Sequence, residues 1–350
     1  MTTSPFIPAG SRVLVTGATG FTGSLLVERL VSSGATVRAI ARASSDLRPL
    51  AGLPIEWFRG DVFDRSTVEA AADGVAFVLH VAAAYRQAGV PDEVYHRVHV
   101  ESTERLVNAV AGRPGFERFV LVSTIGVHGH IDGPPADEHA PFNPGDLYQS
   151  TKAEAERWLT AVAPARGVPF AIVRPSAIYG PRDTRLLKVF RMAARGVFPM
   201  LGHGRTLYHL IHVEDLVDII QLAAVHPAAL GGAVIAGNPE PMPMRRMVEV
   251  IGEALGRRVR VVRVPAWPVF AAADLCEAIC RPFGLEPPLY RRRVAFFTKD
   301  RAFDTRKLRD VLGYRCRYTN EEGLAATARW YAEHGWLRGR PAPAGGVEAR

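Results

Sequence analysis

Three observations predict an α/β fold, a doubly wound parallel sheet with a smaller, interleaved C-terminal lobe. Short β-branched runs alternate with helical patterns through the first half of the chain, which implies parallel strands joined by crossover helices on both faces. A glycine-rich turn stands directly between the first such run and the first helical pattern. After residue 180 the clean alternation stops, so the later elements read as a lobe interleaved with the end of the sheet.

In chain order, Arg12-Val13-Leu14-Val15-Thr16 is the first strand, ending at Gly17, and residues 21–30 form a helix with Leu25, Leu26 and Leu30 inward. Residues 36–41, 55–59 and 75–81 read as the second to fourth strands, with a short helix at 67–72. A helix over 94–110 leads to a fifth strand at 119–122. The irregular stretch 126–146 is rich in Gly, Pro and His, and a segment of that length in a compact domain is usually functional. A helix capped by Asp146 runs to about residue 162, and the sixth strand, 170–174, stops at Pro175. Beyond it the pattern gives helices at 181–195, 214–224, 244–255, 265–280 and 321–336, and strands at 207–213, 233–236 and 259–264. The expected organisation is a leader (1–10), a dinucleotide domain (11–180), a mainly substrate-binding lobe (181–337) and a frayed, Pro/Gly/Ala-rich tail (338–350).

Composition narrows the class. A chain of 350 residues, 48% hydrophobic and 22% charged, is an ordinary globular enzyme in make-up. It shows neither a signal-peptide pattern nor the roughly 18 uncharged apolar residues of a membrane span, so a cytoplasmic protein is expected. The net charge of +8 is local: residues 281–317 hold 11 Lys or Arg against 4 Asp or Glu. That segment carries no recognition-helix, zinc-finger or aromatic-platform pattern, so no nucleic-acid partner is expected. Cys276, Cys280 and Cys316 suit neither a disulfide framework nor a zinc site, and His128, His130, Asp132, Asp137, Glu138 and His139 fit no ligand spacing, so no metal is expected.

The turn TGATGFTG, Thr16 to Gly23, carries Gly17, Thr19, Gly20, Phe21, Thr22 and Gly23. Glycines three apart after a strand let the backbone approach a pyrophosphate, and the helix N-terminus presents free N–H groups to it. The context is that of a Rossmann dinucleotide site. At the end of the second strand, where NAD enzymes place a carboxylate, the chain reads Val37-Arg38-Ala39-Ile40-Ala41-Arg42. Arg42 suits a 2′-phosphate, with Arg38 able to assist, which favours NADP(H) over NAD(H). Asp61 and Val62 suit the adenine edge. Tyr148 and Lys152 are four apart and share one helix face. A lysine ammonium favours the phenolate, but lowering a tyrosine pKa from about 10 to about 7 needs roughly 4 kcal/mol, more than one lysine supplies.

Assembled in order, these segments resemble the extended short-chain dehydrogenase/reductase family, over roughly residues 12–336. The glycine turn matches, and Leu79-His80-Val81-Ala82-Ala83 looks like the family's fourth-strand end against the cofactor. Ser123-Thr124-Ile125-Gly126-Val127-His128-Gly129 resembles its fifth-strand segment, and Tyr148-x-x-x-Lys152 its active-site helix. Arg174-Pro175-Ser176-Ala177-Ile178-Tyr179-Gly180-Pro181 and Ile211-His212-Val213-Glu214-Asp215 match two later motifs. The resemblance implies that Thr124 holds the substrate oxygen, Tyr148 exchanges the proton, and Lys152 lowers the phenol pKa and binds the nicotinamide ribose. It places Ala82, Ala83, Ser123 and Pro175 at the cofactor, and Tyr85, His128, Tyr179 and Tyr208 towards the substrate. Two positions depart from the pattern: His99 stands where many relatives carry an Asn of the proton relay, and Tyr208 where nucleotide-sugar epimerases carry an Arg.

The apolar run Pro265-Ala266-Trp267-Pro268-Val269-Phe270, with Pro287-Pro288-Leu289-Tyr290, resembles the 3β-hydroxysteroid dehydrogenase and dihydroflavonol reductase branches. The expected activity is therefore an NADP(H)-dependent ketone reductase or secondary-alcohol dehydrogenase on an apolar small molecule. The competing readings are a nucleotide-sugar epimerase or dehydratase with tightly bound NAD(P), and a non-catalytic dinucleotide sensor. A homodimer is expected. Asp274 and Glu277 exclude a buried span over 265–293 but permit an amphipathic lid or a peripheral membrane contact.

Overall fold

The structure, a computed structural model, describes residues 6–84, 91–131, 133–283 and 300–337, together with residues 287, 289 and 294. Its strands are β1 Arg12–Thr16, β2 Thr36–Ala41, β3 Ile55–Arg59, β4 Phe77–His80, β5 Arg118–Val122, β6 Phe170–Pro175, β7 Ala177–Tyr179, β8 Val197–Leu201, β9 Leu207–Tyr208, β10 Leu210–His212, β11 Ala233–Ala236, β12 Met242–Pro243 and β13 Arg260–Val264. Seven of them form one sheet in the order β3-β2-β1-β4-β5-β6-β11, every pair parallel. The order reverses between β1 and β4, which opens a crevice at their carboxyl ends.

Near-continuous apolar runs mark strands buried on both faces. Val13 and Val15, Phe77 and Leu79, Val120 and Val122 face one core with α1 (Phe21–Ser32), which also receives helix Val213–Val225. Leu14, Val78, Phe119 and Leu121 face the other, under α2 (Arg65–Ala71), α4 (Ser102–Val110) and α5 (Leu147–Val162), while α3 (Asp92–His96) packs against α5. A π turn, Arg97–Glu101, joins α3 to α4. Ile7, in the segment expected to be a leader, is 2% exposed and belongs to the first core.

The lobe has its own core, built from Phe190 of α6 (Leu187–Ala194), Phe198 of β8, Met247 and Ile251 of α8 (Met244–Ala254) and Tyr331 of α10 (Asn320–Glu333). Between α6 and α8 the helix Val213–Val225 is α7, and α9 spans Ala266–Cys280. Interleaving is direct: β11 follows lobe strands β7 to β10 in sequence and yet edges the main sheet. Asp215 and Asp218 of α7 bind the returning chain. Tyr314 Oη and the Arg317 amide donate to Asp215 Oδ1 at 2.8 and 2.7 Å, and Arg317 and Arg29 of α1 both pair with Asp218, at 2.6 and 3.6 Å.

Three elements differ from expectation. Residues 181–195 are helical only from Leu187, because Asp183 accepts the amides of Arg185 and Leu186 in a turn at 3.1 and 3.0 Å, and Arg182 has φ +73°. The strand expected at 207–213 splits at His209 into β9, paired with β12, and β10, paired with β7. Strands β7 and β12 are too short to announce themselves, and Pro199 interrupts the strand pattern of β8.

Candidate active site

The crevice at the ends of β1 and β4 is braced by one buried histidine. His80 lies beside Thr16, its Nδ1 2.7 Å from Thr16 Oγ1 and its Nε2 2.9 Å from Ser102 Oγ. Ser102 gives its only hydroxyl hydrogen to the Val98 carbonyl at 2.6 Å, so it accepts from His80 Nε2–H, and Thr16 donates to Nδ1 while accepting the Ala82 amide at 3.2 Å. This chain satisfies a neutral imidazole, and burial, then the Lys152 charge, hold the His80 pKa down at about 3.

On this base sits the glycine turn. Gly17 has φ +69°, and a Cβ there would stand 2.8 Å from the Ala82 backbone; a Cβ on Gly23 would stand 2.0 Å from the Gly17 carbonyl oxygen. Both positions demand glycine, one for conformation and one for close helix–strand approach. Gly20 caps α1 without a side chain, and the first turn holds no acid, so its amides are open to an anion. Thr22 is buried, Thr19 half-buried, and Phe21 lies under the Arg185 guanidinium at 5.4 Å. Two buried hydroxyls at the adjoining strand ends, Ser123 after β5 and Ser176 after Pro175, have no hydrogen-bond partner among the described residues. Cradle, open amides and orphan hydroxyls fit a dinucleotide. No group of three or more His, Cys, Asp or Glu that could hold a metal occurs among the described residues.

Arg42 is exposed just past β2, and its carbonyl accepts from Arg59 at 3.1 Å. Asp61 is its electrostatic neighbour: burial raises the carboxyl pKa, against the Val62 amide and then the Arg42 charge, while Val62 itself is buried. Arg38 is not available to assist Arg42. It pairs with Glu56 at 2.7 Å and donates to the carbonyls of Ala71 and Asp73, tying β2 to β3 and α2.

The catalytic candidates lie at the exit of β5 and on α5, which Lys152 fastens to each other. Asp146 Oδ1 accepts the Gln149 amide at 2.7 Å and starts α5, on which Tyr148, Lys152 and Glu156 follow at four-residue spacing. Lys152 is 1% exposed, its Nζ donating to the Val122 carbonyl at 2.9 Å. Thr124 Oγ1 accepts the Gly126 amide at 3.0 Å, which leaves its O–H as a donor. The Tyr148 ring is half-buried and meets the His99 ring edge-on at 5.3 Å. Ala82 is buried and Ala83 exposed along the path leaving β4.

The residues expected towards the substrate are placed differently. Tyr85 lies outside the described residues. His128, 1% exposed, sits between Phe142 and Phe303 and accepts from Arg174 at 3.2 Å. Tyr179, also 1% exposed, has its hydroxyl against Gly323, where a Cβ would stand 2.2 Å away. Tyr208, 4% exposed, is part of the lobe core. All three are buried, His128 against Arg174 and two phenylalanine rings, Tyr179 and Tyr208 within the lobe core. Nor are the polar groups of the 126–146 stretch merely solvated: Glu138 accepts the Ile235 amide of β11 at 2.9 Å, and its carbonyl accepts from Arg174 at 2.8 Å.

The sequence reading missed the pair behind Lys152. Glu156 and Arg174 form a buried salt bridge at 2.6 Å, with 1% and 6% of their side chains exposed. Continuing the Tyr148–Lys152 spacing by four more residues would have pointed to Glu156. Helix α9 buries only Ala273 and leaves Trp267, Leu275 and Ile279 at 75%, 63% and 56% exposure. No helix among the described residues is long and apolar enough to cross a membrane.

Comparison with known proteins agrees with this geometry. The model of the NAD dependent epimerase/dehydratase family matches residues 13–237. The chain is 32% identical to a 3 beta-hydroxysteroid dehydrogenase/Delta 5-->4-isomerase of Mycobacterium tuberculosis, covering 91% of this chain and 90% of the relative. It is 31% identical to a 4-hydroxy-2-methyl-3-oxo-4-farnesyl-3,4-dihydroquinoline-1-oxide ketoreductase of Stigmatella aurantiaca, over 90% and 95% of the two chains. It shares the fold of Thermus thermophilus UDP-glucose 4-epimerase, solved with NAD, at a TM-score of 0.71 and 24% identity, covering 92% of this chain and 99% of that one. The chain belongs to the NAD-dependent epimerase/dehydratase family and is an NAD(P)-dependent enzyme of the extended short-chain dehydrogenase/reductase type.

Proposed function

We propose that the protein is an NADP(H)-dependent ketone reductase or secondary-alcohol dehydrogenase for an apolar small molecule. The observation that carries this is the Tyr148–Lys152 face of α5, held beside Thr124 by the bond from Lys152 to the Val122 carbonyl. When bound, the nicotinamide supplies or accepts the hydride. Thr124 donates its hydroxyl hydrogen to the substrate oxygen and stabilises the charge developing there. Tyr148 gives a proton to that oxygen in reduction, or takes one in oxidation, as general acid or base. The Lys152 ammonium lowers the cost of the phenolate left behind.

NADP(H) is favoured because Arg42, and no carboxylate, follows β2. An apolar substrate is supported by the exposed apolar face of α9 and by relatives whose names give a hydroxysteroid and a farnesylated quinoline oxide as substrates. The test is oxidation of NADPH and of NADH across steroid, flavonoid, small β-keto and sugar-nucleotide substrates, with Tyr148→Phe as control. Net NADPH consumption with an apolar ketone, lowered about 10²–10⁴-fold by Tyr148→Phe, is expected. Sugar-nucleotide turnover without net cofactor consumption would replace this reading by an epimerase or dehydratase. Cofactor binding without turnover would replace it by a sensor.

A further inference from the structure

His99 lies in the π turn between α3 and α4 and is fully buried. Such turns add a residue to one helical loop and often occur at functional sites. Three contacts converge on this imidazole. The Ala84 amide donates to Nε2 at 3.1 Å, Nδ1 lies 2.8 Å from Thr151 Oγ1, and the ring meets that of Tyr148 at 5.3 Å. The Thr151 hydroxyl directs its hydrogen to the carbonyls of Leu147 and Tyr148, at 2.9 and 3.2 Å, so its oxygen accepts from His99. An amide donor on Nε2 and an acceptor at Nδ1 select one form, the neutral imidazole with its hydrogen on Nδ1.

Ala84 lies two residues beyond Ala82, the residue pressed against Gly17, on the backbone that leaves β4. Thr151 belongs to α5, between Tyr148 and Lys152. One ring therefore spans the cofactor wall and the catalytic helix. The geometry points to His99 as a positioning residue that, as a neutral Nδ1–H imidazole, holds the 81–84 backbone against the dinucleotide site and steadies the Tyr148 ring, in place of relaying protons. Its effect on Tyr148 rests on the proposed function; its effect on cofactor binding does not.

An imidazolium would turn an N–H towards the Ala84 N–H and break the link. Among the described residues the titratable groups facing the ring are Lys152 and Tyr148 of α5, His80 of β4 and Tyr95 of α3, none of them a carboxylate. Burial first, then the Lys152 and His80 charges, push the His99 pKa down to about 2, so the neutral form holds across the working range.

His99→Gln and His99→Asn divide the two bonds. A glutamine amide reaches the place of Nε2 and can accept from Ala84; an asparagine reaches only the place of Nδ1 and keeps Thr151. Fluorescence titration with NADPH and with NADH, without substrate, measures the cofactor arm alongside the melting temperature. At similar melting temperatures, Gln is expected to bind the preferred cofactor within about twofold of the parent and Asn about tenfold more weakly, the size of one lost hydrogen bond. Asparagine binding as tightly as the parent would overturn the proposal. So would a limb near pH 6.5, the free imidazole value, in the parent kcat profile that disappears in His99→Gln. If no ketone turns over, the proposed function fails and the titration still decides this one.

Discussion

Lys152 Nζ lies 2.9 Å from the Val122 carbonyl oxygen, so the middle of α5 is fastened to the exit of β5 through a buried cation. Burial lowers the Lys152 pKa to about 8, with a smaller opposing pull from Glu156. Below about pH 8 folded and unfolded chains both hold the proton, and the folded state bears the full cost of the buried charge. Between about pH 8 and the unfolded value near 10.4, only the unfolded chain holds it, so this group's contribution to stability rises with pH. Urea unfolding of the parent and of Lys152→Met from pH 7 to 10.5 should show the difference moving by about 3 kcal/mol in the parent's favour across that window. A difference independent of pH would contradict the buried ammonium.

Glu156→Gln isolates the charge on Arg174. The guanidinium is 6% exposed and keeps its bonds to His128 and the Glu138 carbonyl, but faces a neutral amide. Breaking a buried pair from one side costs about 3–5 kcal/mol, and denaturant unfolding should show a loss of that size. A loss below about 1 kcal/mol would mean that water reaches Arg174.

Gly23→Ala places a methyl 2.0 Å from the Gly17 carbonyl oxygen. Helix α1 must then lift from the turn, at about 1–3 kcal/mol of stability. Cofactor affinity should fall in parallel, because the same amides form the cradle. Unchanged affinity by titration would show that the turn does not hold the dinucleotide.

Arg42→Ala tests cofactor choice. Charge-assisted hydrogen bonds to a 2′-phosphate are each worth about 1.5–3 kcal/mol, so KM for NADPH should rise about 10–100-fold while that for NADH stays nearly constant. Equal effects on both cofactors would remove Arg42 from the specificity role.

Much of the sheet was legible from its β-branched and aromatic runs: β2, β3 and β11 lie where those runs predict, although β3, at the sheet edge, holds no buried residue, and Asp146 caps α5 as its residue type suggested. What escaped reading depends on the third dimension. Arg38 looks like a phosphate ligand until Glu56 is seen across the strand pair. His128, Tyr179 and Tyr208 stand in recognisable motifs, but a motif fixes position along the chain and says nothing of exposure. His99 lies in a π turn, whose extra residue breaks the very periodicity used to find helices.

Asp218 is shared by Arg29 of the cofactor helix and Arg317 near the end of the chain. Peeling the C-terminal segment away would strand a carboxylate that is 1% exposed with half its cations gone. One buried carboxylate therefore ties the helix that follows the glycine turn to the segment at Arg317, so loosening either side leaves the other facing an under-compensated charge.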